Sequence, residues 1–182
     1  MVKKVKNYTE DEFKLYLDNL YQKTNDARLI DPKTRSRIFK RMDEACEITG
    51  LSFPDLLQRL DFKPRDLTIE ALEAFFAELR SIFWLKKFGF TTIAPQQAKN
   101  NTQPDFRAKY GEKESVIEVF CLTKEHEQER DIVTGPYRDF DPEFEGSKFR
   151  RDFFTKAKIK KKQLDSINSE IKILLCAINS TQ

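Results

Sequence analysis

The chain has 182 residues, 39% of them hydrophobic and 16 of them phenylalanine, enough to bury one full core or a core with a small satellite. Its 35% charged residues leave a net charge of only +3, so the chain is well solvated without a strongly acidic or basic bulk that dictates a partner. No run approaches the roughly 20 apolar residues of a membrane span, Met1-Val2-Lys3-Lys4 opens no secretory signal, and three scattered cysteines with one histidine exclude a cysteine-histidine metal cluster.

The cysteine usage fits reduced thiols in a cytoplasm. In chain order, Thr9 and Glu12 form a capping box ahead of a helix whose apolar face is Phe13, Tyr16, Leu17, Leu20 and Tyr21. Asp31-Pro32 starts a second helix that ends at Gly50, and Ser52 caps a short third bearing Leu56, Leu57 and Leu60. Cys46, Gly50, Leu51, Ser52 and Leu56 fall at helix-turn-helix-like spacings, although Pro54 and Arg59 sit poorly in a recognition helix. The alternative is a plain helical domain for a protein partner or for self-association. The polar segment from residue 61 to Asp66 reads as a linker, which divides the chain into a helical domain over 1–66 and a second domain over 67–182.

Beyond the linker the periodicity changes. A long apolar helix runs from Ile69 to about Lys87 and ends at Gly89, with Trp84 expected in the core. Short strands follow over Phe90–Ala94, Asp105–Tyr110 and Val116–Leu122, the last two joined by a turn at Gly111. A charged loop spans Thr123–Gly146. Ser147 is expected to cap a basic helix to about Ile167, and Ile171–Ile178 forms a last strand. A strand hairpin followed by a helical crossover implies a mixed sheet flanked by helices.

Two acids occupy strand positions that packing alone does not explain. Asp105 follows Pro104 at a strand entry, and Glu118 interrupts the apolar run Val116-Ile117-Glu118-Val119-Phe120. A buried carboxylate costs several kcal/mol unless a counter-charge or a metal compensates it. Pairing around Gly111 brings the two near each other. Each acid taken singly also fits a solvated edge or a pair with Arg107 or Lys109. The basic helix carries Lys148, Arg150, Arg151, Lys156, Lys158, Lys160, Lys161 and Lys162 against one acid, Asp152. That stripe suits a polyanion such as nucleic acid, or it is simply a solvated helix face. The spacing of Phe149, Phe153, Ala157, Lys160, Leu164 and Ile167 puts one lysine, Lys160, in the helix's apolar stripe. His126 reads as a solvated loop residue, and no glycine loop that cradles phosphate is present.

Pro104-Asp105 followed by Ile117-Glu118-Val119 resembles the signature of the PD-(D/E)xK nucleases, and the helix-three-strands-helix-strand order is similar to that family's αβββαβ core. The resemblance runs from about Thr68 to Ile178. It implies an α/β restriction-endonuclease-like fold behind a small all-helical domain, and metal-dependent phosphodiester hydrolysis, chiefly in DNA. It further implies that Asp105, Glu118 and the carbonyl of Val119 hold Mg2+, with Mn2+ as a substitute, and that Glu78 adds a second-site ligand. Phe120 stands where the family keeps its lysine. Lys160 is the candidate replacement and Lys124 the runner-up. Arg150, Arg151, Lys158, Lys161 and Gln163 are the expected nucleic-acid contacts. The competing reading is an inactive nuclease-fold module that binds nucleic acid or a protein.

Overall fold

The structure, a computed structural model, describes residues 8–60, 62–96, 103–122 and 142–178, with the side chains of 122, 142–152 and 178 outside that description. Three helices come first: α1 (Glu10–Thr24), α2 (Pro32–Thr49) and α3 (Phe53–Arg59). Their starts are those the caps dictate. Thr9 accepts from the Glu12 N–H and Glu12 from the Thr9 N–H, and Asp31 and Ser52 cap the next two helices. Gly50, at φ 70°, closes α2 in the left-handed region that glycine adopts without a steric cost.

Then follow α4 (Ile69–Lys87), β1 (Thr91–Pro95), β2 (Phe106–Tyr110), β3 (Lys113–Leu122), α5 (Pro142–Asp165) and β4 (Ile171–Ile178). The strands form one mixed sheet in the order β1-β2-β3-β4. The first three are antiparallel neighbours, and β3 pairs with β4 in parallel across the α5 crossover. The chain is therefore of the α/β class.

Several sequence boundaries shift. β3 begins at Lys113 rather than Val116, because a two-residue turn at Gly111-Glu112 lets Tyr110 pair directly with Lys113. Gly111 has φ 59°, as the first position of such a tight hairpin turn demands. α5 starts at Pro142, a residue preorganised for the first helical turn, and not at Ser147, which lies within the helix.

α4 and α5 lie on opposite faces of the sheet, and strand alternation decides what each meets. Ile117, Val119 and Cys121 pack with α4, whereas Val116 packs with Leu164 and Ile167 of α5 and with Leu174 of β4. The Phe120 ring lies 5.7 Å from that of Phe153. The described residues before α4, expected as part of a separate domain over 1–66, share a continuous buried cluster with α4 and the sheet through Phe13, Phe62, Phe75 and Phe106. Trp84, expected in the core, is 56% exposed on the outer side of α4. No helix among the described residues is long and apolar enough to cross a membrane.

Candidate active site

The site grows out of the β2–β3 hairpin and the helix that covers it. Register places Phe106 opposite Ile117, so Asp105, one residue before β2, lies at the level of Glu118 and Val119. There the carboxylate of Asp105 continues the ladder that β2 has just left. Its Oδ2 accepts the Val119 N–H at 2.6 Å, holding the side chain against β3. Pro104, buried beside it, has no N–H to satisfy at this strand entry.

Glu118 is wholly buried on the α5 face of β3. α5 runs opposite to β3, with Phe153 at Phe120 and Leu164 and Ile167 at Val116. Lys160 lies between these contacts in the same stripe. Its Nζ donates to Glu118 Oε2 at 2.6 Å and to Asp105 Oδ2 at 3.3 Å. One ammonium thus joins two acids that are 13 residues apart in sequence with itself, 42 residues downstream of Glu118. Phe120 is not a vacancy in this arrangement, since it packs with Phe153 and helps seat the helix that delivers the lysine.

The electrostatics follow from burial. Loss of water, reinforced by the charge of Asp105, raises Glu118 to about 7 even though Lys160 pulls it down. Burial alone would lower the ammonium of Lys160, but Asp105 and Glu118 outweigh it and hold its pKa above the usual lysine value. Glu118 Oε1 is buried and has no hydrogen-bond partner among the described residues.

This predicts an unusual pH dependence of stability. A carboxyl whose folded-state pKa lies above its unfolded value binds more protons when folded, so its contribution weakens as pH rises between the two values. Here that window runs from the ordinary 4.5 to about 7. In EDTA, Glu118→Gln should stabilise the protein at pH 8 by about 1–3 kcal/mol. The gain should vanish below pH 4.5, where Glu118 is neutral in both states. Thermal melts of both proteins across that range test this. A Glu118→Gln protein no more stable than wild type at pH 8 would contradict it.

The other expected site residues are dispersed. Glu78 lines a small cavity with Tyr16, Leu60 and Phe62, beside the N-terminal helices. The described residues contain no group of three or more His, Cys, Asp or Glu side chains able to share an ion. The α4 acid that bears on β3 is Glu73. After burial, its charge is the next cause raising the Cys121 thiol to about 11. Lys158 and Lys161 are exposed, Lys161 pairing with Asp165 at 2.5 Å. Gln163 is half-buried. The side chains of Arg150 and Arg151, and the residues Lys124 and His126, lie outside the described residues. Lys156, which the sequence offered no reason to single out, donates to the Cys121 carbonyl at 3.0 Å one helical turn before Lys160.

The donor set suits a small hard cation. Asp105 and Glu118 offer carboxylate oxygens, one of them buried and unpartnered, and Mg2+ takes one or two such ligands while keeping several waters. Comparison with protein-family models, curated proteins and solved structures returns no match to this chain.

Proposed function

We propose that the protein is a metal-dependent nuclease with a PD-(D/E)xK-type, restriction-endonuclease-like core that hydrolyses phosphodiester bonds in DNA. The observation that carries this reading is the convergence of Asp105, Glu118 and Lys160 on one point. These are the three residue types the family signature uses, with the lysine arriving from α5 instead of β3. Their mutual contact is the reason a chain with phenylalanine at position 120 still qualifies.

Asp105 and Glu118, with the Val119 carbonyl, hold Mg2+ or Mn2+. The bound ion supplies a water of lowered pKa and offsets charge on the phosphate. Asp105 is oriented for this by the Val119 N–H, which fixes one oxygen and restricts its rotation. The raised pKa of Glu118 reflects burial and the charge of Asp105, so a cation held there would favour its ionised form. Lys160 remains an ammonium throughout the neutral range and acts as a positioned positive charge toward the phosphoryl oxygens. The exposed Lys158 and Lys161 stand on the same helix as non-specific backbone contacts.

One observation favours a second reading. Lys160 pairs with both acids without any metal, as it would in a nuclease-fold module that has lost catalysis and only binds. Wild-type protein incubated with duplex, branched and single-stranded DNA separates the two. Cleavage that requires Mg2+ or Mn2+ and stops in EDTA supports the enzyme. If no divalent ion produces cleavage on any of these substrates, the enzyme reading fails and the binding module replaces it.

A further inference from the structure

Two cations besides Lys160 stand in line with the site, one on each side of it. Phe106 and Ala108 are buried in the cluster that includes α4, so Arg107 between them points to the opposite face of the sheet, the one that carries Glu118. Arg107 is exposed. It pairs in register with Val116, two residues toward the start of β3 from Glu118, or about 7 Å along the strand. Lys109, the next residue of β2 on that face, is engaged with Glu114 at 3.6 Å.

The second cation lies beyond the other end of the site. The Val119 N–H meets Asp105, so the main-chain polar groups of Val119 point to the β2 side of β3, and two residues on those of Cys121 do so again. β2 begins only at Phe106, opposite Ile117. The Cys121 carbonyl therefore has no β2 residue to pair with, and it accepts from Lys156 Nζ at 3.0 Å. Lys156 is exposed and stands one turn of α5, about 6 Å, before Lys160. Along β3 the order is Arg107 at Val116, Lys160 at Glu118 and Lys156 at Cys121. The steps between them are of the order of the spacing between successive phosphates on one nucleic-acid strand. Two acids mark the middle position. A solvated strand edge would account for Arg107 and a tether for α5 would account for Lys156, but neither accounts for their placement on either side of the acids.

We propose that Arg107 and Lys156 hold the phosphates immediately on either side of the scissile one. The substrate then runs along the β2 side of β3 and must carry a charged linkage on both sides of the cut. The inference rests on the nuclease reading of Asp105, Glu118 and Lys160, and it names the substrate class of that site: internal linkages of a chain, cleaved ahead of terminal ones.

The test uses a labelled oligothymidylate of about 12 nucleotides with one central methylphosphonate, a linkage without charge, single-stranded or annealed to its complement. In Mg2+ the wild type should leave a gap in its product ladder that covers the neutral linkage and its neighbour on each side. Cutting at those neighbours should fall about 10-fold relative to distant linkages, the loss of one charge-assisted contact. Lys156→Met should narrow the gap by one linkage from one side, and Arg107→Met by one linkage from the other. Lys156→Arg, which keeps the charge, should retain the full gap. In EDTA each methionine variant should also lower the slope of log affinity for the unmodified single strand against log salt by about 0.7. A wild-type ladder interrupted only at the neutral linkage overturns the proposal and leaves the nuclease reading standing. So does a gap that neither variant narrows, or slopes unchanged in both. Cleavage confined to terminal linkages overturns it as well. A ladder absent from every substrate is the separate failure of the nuclease reading, and this proposal falls with it.

Discussion

Lys160→Met should reduce metal-dependent DNA cleavage by about 10²- to 10³-fold, the loss seen when one preorganised electrostatic contact to the transition state is removed. DNA affinity should change by no more than about twofold, because the interaction is made mainly as charge develops on the phosphate. Methionine keeps most of the volume and all of the apolar stem, so the contact between α5 and β3 survives. The exposed Lys158, two residues earlier, provides the control. Lys158→Met should cleave nearly as wild type does, and an equal loss there would reduce Lys160 to one phosphate contact among several. Single-turnover rates with saturating enzyme, set beside anisotropy in Ca2+ or EDTA, separate the two effects.

At Asp105 the same site can be taken apart in two ways. Asp105→Asn keeps an oxygen for the Val119 N–H, whose bond to Asp105 Oδ2 is 2.6 Å long, and removes the charge a cation requires. The fold should persist and cleavage should fall by at least about 10²-fold. Asp105→Ala loses the charge and also orphans the N–H of Val119, a residue only 6% exposed. It should cost about 1–3 kcal/mol of stability beyond the loss of activity. Denaturant melts and cleavage rates of the pair give four results, and wild-type cleavage by Asp105→Asn would remove this residue from the ligand set.

Much of this arrangement was legible before any coordinates. Period-two alternation put Glu118 and Phe120 on one face of a strand, and the three-and-four spacing of Phe153, Ala157, Lys160 and Leu164 put a single lysine in an apolar stripe. Those patterns are local, and both elements exist. Their meeting was not local, since it depends on α5 running opposite to β3, which no spacing within either element encodes. Glu78 shows the limit from the other direction. Periodicity gives only the relative angle of side chains about a helix axis, and Glu78 borders a cavity beside Tyr16 of α1. Trp84 was expected in the core of a long apolar helix, yet it is 56% exposed. The bond from Val119 to Asp105 could not be read at all, because it joins a main-chain group to a side chain across a hairpin.

The order in which these pieces come together has its own consequence. The β2–β3 hairpin closes over a two-residue turn, a local event that brings Asp105 and Glu118 together on about the microsecond scale of hairpins. The parallel β3–β4 pairing must wait for the whole α5 crossover, and contacts of that sequence separation form slowly. A chain caught between the two steps holds two acids side by side without their lysine. Either repulsion keeps the hairpin loose or a proton is borrowed from solvent until α5 arrives. The lysine is thus a late arrival, and its docking completes the sheet and the site in one step. Any excursion that lifts α5 from the sheet dismantles both, so the loss of activity on partial unfolding should coincide with hydrogen exchange of β4 and not with that of the hairpin.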